Sequence, residues 1–130
     1  MRDFFLKRVR EQGGFRCYHA HFDKAYLINE DNMIRSQKSL QEKWKIYREF
    51  KENYTEENLL KRMSKCVDNL LCQGTNYIRT FVDADSVVNQ KCIDSGVKLK
   101  EKYKDKVKID LAIQPLEGLE DKKSRDNFIE

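Results

Sequence analysis

With 130 residues the chain suits one ordinary domain with a real core, and nothing in it demands a second. Charged residues make up 37% and hydrophobic residues 39%, and 26 Lys+Arg are interleaved with 22 Asp+Glu, so the net +4 is mild. That balance argues against a nucleic-acid reader, which concentrates positive charge on one face. No stretch approaches the roughly 18 apolar residues of a membrane span.

Lys98–Lys106 alternates signs as a solvated helix face does. Cys17, Cys66, Cys72 and Cys92 form no Cys-x-x-Cys pair, so a reduced, cytoplasmic setting is expected. Met1 to Gln12 sets Phe4, Phe5, Leu6 and Val9 among charges and lacks the continuous apolar core of a signal peptide.

In chain order, residues 2 to about 12 read as a short amphipathic helix with Phe5, Val9 and Gln12 near one face. Gly13-Gly14 ends it. Phe15 to His21 is expected as a first strand, with Phe15, Cys17, His19 and His21 on one side by simple alternation. Both histidines of the sequence lie here, two residues apart at a strand's C-terminal end. Imidazole is a good ligand for zinc or iron, and strand backbone fixes the angle between two of them. Two strand-end histidines bonded to nearby loops is the bland alternative.

Lys24 to about Gln37 has no clean period and reads as a long loop overhanging the histidines, held down by Tyr26, Leu27 and Met33. Ser39 caps a helix carrying Leu40, Trp44, Tyr47 and Lys51, and Thr55 caps a stronger one striped with Leu59, Leu60, Met63, Cys66, Val67, Leu70 and Leu71. That stripe is core packing. Gly74 closes the helix, and Tyr77–Asp83 is a second strand. Asp85 or Ser86 caps a third long helix with Val87, Val88, Cys92, Ile93, Val97, Leu99 and Tyr103, with Gly96 as a weak spot. Val107–Gln114 is a third strand with Asp110, Ala112 and Gln114 inward, then a turn at Leu116-Glu117-Gly118-Leu119. Another helix starts near Asp121.

Strand, helix, strand, helix, strand implies parallel neighbours joined by right-handed crossovers. An open doubly wound sheet and the opening part of a barrel both satisfy that order.

Gly13-Gly14-Phe15 with His19-Ala20-His21-Phe22-Asp23-Lys24 resembles the first barrel strand of the amidohydrolase superfamily, especially its cytosine-deaminase-like members. Gly74–Asp83 resembles their second strand and Leu111–Gly118 their third, so the resemblance runs from about residue 13 to 119. It implies an α/β fold forming the first three βα units of a (β/α)8 TIM barrel behind a leading helix, as one domain over 1–130. Such barrels run to about 250 residues. It also implies that His19 and His21 hold a divalent metal, zinc or iron, whose water attacks a cyclic amide or an amino-substituted nitrogen heterocycle. The further ligands of that site, two later histidines and an aspartate after an eighth strand, are not among these residues.

Phe81 stands where cytosine deaminases often have histidine, and Leu116 where they carry a glutamine. Gln114 and Asp23 are therefore the expected substrate contacts. Asp83 and Asp85 are candidates to orient a ligand imidazole, with an Arg79–Asp83 pair as the plainer reading. Lys24 is expected in solvent and Cys17 as a small buried filler beside the histidines. The expected partner is a small molecule, with neither nucleic acid nor membrane. Self-association through open sheet edges also follows, and a non-catalytic remnant is the competing reading.

Overall fold

A computed structural model describes residues 1–116 and 118–129; Glu117, in the expected turn, lies outside the described residues. The protein is an α/β fold built on a three-stranded, all-parallel sheet of order β1-β2-β3. The strands are β1 (Phe15–Ala20), β2 (Thr75–Asp83) and β3 (Lys108–Gln114). Ahead of β1 lies α1 (Arg2–Glu11), and between β1 and β2 lie a 3-10 turn (Phe22–Lys24), α2 (Glu30–Ser36), α3 (Leu40–Glu52) and α4 (Glu56–Cys72). The chain continues with α5 (Lys91–Lys102) between β2 and β3, and α6 (Lys122–Ile129) after them. Among the described residues no helix is long and apolar enough to cross a membrane.

The core lies between the sheet and α4 with α5. Thr55 accepts the Asn58 backbone N–H and starts α4, and the expected stripe follows: Leu59, Met63 and Val67 are fully buried. They meet Ile78 and Val82 of β2, Cys92 and Leu99 of α5, and Ile109 of β3. At Gly96 a Cβ would come 3.0 Å from the side chain of Leu111, so this glycine lets α5 lie close on β3. Gly14 is needed for a different reason. Its φ is +72°, and a Cβ there would sit 2.8 Å from the Gly74 carbonyl oxygen.

Several local expectations give way. The segment after the histidines is not a loop throughout, because Asn29 and Asn32 bond each other's backbone N–H as a capping box and start α2. In it Leu27 is buried and Tyr26, although exposed, accepts from Asn69 Nδ2 at 2.7 Å and lies against Lys65, so these two pin the segment while Met33 is exposed. The helix expected from residue 85 or 86 begins at Lys91; Asn89 has φ +52° and breaks the run, while the Asp85 carboxylate caps the N–H groups of Val87 and Val88 in the preceding turn. On α5, Val97 faces solvent. α1 leans on Gly74 through Leu6 and Val9, not through Phe5, which is 56% exposed.

The other face of the sheet is bare. Tyr18 of β1, Tyr77 and Arg79 of β2, and Lys108, Asp110 and Ala112 of β3 lie on it without a covering layer, and Tyr18 is 56% exposed.

Candidate functional site

The site lies where the strands end. Simple alternation would put Cys17 beside the two histidines, yet Cys17 packs toward the helices with Ala20. Between the pairs Cys17↔Ile78 and Ala20↔Thr80, β1 spends one residue more than β2, which is a β-bulge. The bulge turns Tyr18 and His19 to the same bare face, beside Tyr77 and Phe81 respectively. His21 follows just past the strand and returns to that face. The result is an imidazole pair with Nε2 to Nε2 at 3.0 Å. Phe81 floors it, with ring centroids 4.7 Å from His19 and 5.5 Å from His21.

Behind the pair is an ion network that ties three segments together. Asp83, at the end of β2, receives Lys24 Nζ at 2.6 Å and Gln114 Nε2 at 2.9 Å on Oδ1, and Lys51 Nζ lies 3.1 Å from its Oδ2. Lys51 also bonds Asp85 Oδ2 at 2.5 Å. Lys24 bonds Asp23 Oδ2 at 3.0 Å, and the same oxygen accepts the backbone N–H of Asp83. The Asp23 carbonyl accepts from Tyr54 and Arg62, which fixes the 3-10 turn to α4.

Burial opposes the charge of Asp83, but Lys24 and Lys51 outweigh it and hold its carboxyl below the usual value. Burial likewise works against Lys51, but Asp83 and Asp85 prevail and its pKa rises. At Asp23 burial wins over Lys24, and its pKa is raised. His21 is pushed below the ordinary histidine value, first by burial and then by Lys24.

Beside His21 opens a pocket of about 430 Å³ lined by Lys24, Ala25, Trp44, Tyr47, Gln114 and Leu116. Its walls are aromatic and aliphatic, and its inner end is polar.

Of the expected site residues, His19, His21 and Gln114 are together: Gln114 Nε2 is 3.3 Å from His21 Nδ1. Asp23 is one layer behind, fully buried, with Oδ1 lacking a hydrogen-bond partner among the described residues. Three expectations are corrected. Lys24 is not a solvent charge, since its side chain is 12% exposed and pinned by two carboxylates. Asp83 pairs with lysines and not with Arg79, which is exposed near Tyr77 and Asp110. Cys17 is on the helix side because of the bulge. Lys51 and Arg62 join the site without a motif to mark them; a cation within the apolar spacing of α3 is a signal for Lys51.

The separation of the two Nε2 atoms is one that two ligands of a single ion can have. Nitrogens about 2.05 Å from one ion and 3.0 Å apart subtend an angle of about 94°, an adjacent-ligand arrangement. The same separation suits a direct N–H···N hydrogen bond. Among the described residues no group of three or more His, Cys, Asp or Glu is placed to hold an ion.

No family model matches the chain. It is 28% identical over 117 residues to an uncharacterized protein of Haemophilus influenzae, across 89% of this chain and 42% of that protein. It is 26% identical over 103 residues to the N-isopropylammelide isopropyl amidohydrolase of Pseudomonas sp. (strain ADP), across 74% of this chain and 25% of that enzyme. The chain thus spans less than half the length of these curated relatives.

Proposed function

We propose that this chain carries the first metal-binding strand and part of the substrate wall of an amidohydrolase-type active site, within a (β/α)8 barrel completed by strands beyond these three. The observation that carries the reading is the imidazole pair at the C-terminal end of β1, where such barrels place their chemistry. The distant likeness to an amidohydrolase supports it.

His19 and His21 would hold a zinc or iron ion through Nε2. When bound, that ion supplies hydroxide at neutral pH by lowering the pKa of water. The chain's own residues do the rest. Phe81 closes the floor against solvent, and the Asp83 network fixes Gln114 beside His21. Trp44, Tyr47 and Leu116 offer flat apolar surface to a small ring carrying an amide, amidine or amino group. Gln114 lines this pocket at its polar inner end, while Asp23 acts from behind by holding the 3-10 turn.

Zinc titration of the full chain by calorimetry tests the metal centre. Binding that disappears in both His19→Ala and His21→Ala is the expected result; binding indifferent to both substitutions overturns it. The bare inner face of the sheet favours a second reading, a folded piece that associates without turnover. Metal content of the purified full chain separates the two: the first reading expects an ion held by both histidines, the second none.

A further inference from the structure

Gln114 stands between two groups that together dictate its orientation. The ionised carboxylate of Asp83 only accepts, so the amide turns its NH2 toward it, Nε2 to Oδ1 at 2.9 Å. The opposite amide orientation would set two oxygens against each other at that distance. The same Nε2 lies 3.3 Å from Nδ1 of His21, and an amide nitrogen has no lone pair to offer. Nδ1 must therefore be the acceptor, and the neutral ring keeps its proton on Nε2. That proton points at Nε2 of His19, 3.0 Å away, which accepts it and keeps its own proton on Nδ1.

We infer that Gln114, oriented by Asp83, is a positioning residue that locks His21 as the Nε2–H tautomer and so closes the histidine pair with a hydrogen bond. The consequence rests on the proposed metal reading. An ion using both Nε2 atoms needs the His21 proton moved to Nδ1, and Gln114 stands in the way until it rotates. The resting pair is thus latched, and Gln114 is the latch.

The test is long-range 1H–15N correlation of the imidazoles in the metal-free full chain at about pH 8, where an ordinary histidine is neutral. Wild type is expected to show His21 as Nε2–H alone. Histidine in water already leans that way, so the variants decide. Gln114→Met and Gln114→Leu, both without a donor, yield a tautomer mixture at His21. Gln114 is only half-buried, so both variants keep the fold, checked by far-ultraviolet circular dichroism and a cooperative urea melt. His21 found as Nδ1–H in wild type, or unmoved in both variants, overturns the inference. Zinc titration of Gln114→Met is a separate arm, expected to show tighter binding than wild type. If neither protein binds zinc, the metal reading fails while the tautomer result stands.

Discussion

The ammonium of Lys51 on α3 lies 2.5 Å from the carboxylate of Asp85 beyond β2, with both side chains essentially out of water. This contact, bridging 34 residues, ties the α2–α3 segment to the end of the sheet. Removing one partner of a buried pair leaves the other charge stranded, which costs about 3–5 kcal/mol. Lys51→Ala is therefore expected to lower the unfolding free energy from urea melts by that amount, with α3 detaching first. Lys45→Ala, an exposed residue paired with the half-buried Glu42 one turn away, is the control and is expected to change little. Equal effects for the two would show that the Lys51 network does not hold the fold.

The pH dependence of stability follows from three groups with different signs. His21 is a base whose native pKa lies below 6.5, so the unfolded state binds its proton first and stability falls as pH drops below that value. Asp83 has a native pKa below 3.8; its contribution is complete above that value and is lost as pH falls through the lower native one. Asp23 is raised, so its protonation relieves a cost on acidification. Urea melts across about pH 3 to 8 should show His21→Asn flattening the decline below 6.5 and Asp83→Asn flattening the acid limb. A wild-type curve parallel to both variants would contradict these assignments.

Gly14→Ala forces a left-handed φ of +72° on a residue with a side chain and pushes its Cβ into the Gly74 carbonyl. A loss of about 1–3 kcal/mol is expected in thermal or urea melts. Gly118→Ala shares the positive φ, yet nothing lies within 4 Å of its added methyl, so its loss should be the smaller. The reverse order would show that crowding at Gly14 is irrelevant.

The uncovered sheet face exposes Tyr18 at 56%, and Ile113 near the end of β3 is exposed at 42%. We expect the chain to self-associate, seen as a sedimentation coefficient that rises with concentration, and Tyr18→Lys to suppress it. A monodisperse monomer at all concentrations would refute this.

Much of the core was legible because its signals are local and periodic: the Thr55 cap, the Leu59, Met63, Val67 stripe, and Gly74 after α4. The histidine pairing was legible only by accident of the pattern. His19 and His21 are two apart, so they stay together whichever way the strand faces, whereas Cys17 changes side once the bulge adds a residue. α2 was missed because its start rests on the side chains of Asn29 and Asn32 rather than on an apolar period. The burial of Lys24 and Lys51 is hidden from the sequence for one reason. A lysine's burial depends on carboxylates distant in sequence, and local spacing carries no trace of Asp83 or Asp85.

The two margins of the sheet are not equivalent. β1 is bent twice against its neighbour, between Phe15 and Arg16 and between Cys17 and Ala20, while β3 pairs in unbroken register from Lys108 to Gln114. A distorted margin is a poor template for another chain and a straight one a good template. Addition at one margin only would not propagate, so copies joining there would stop at a closed two-fold pair instead of growing into a fibre.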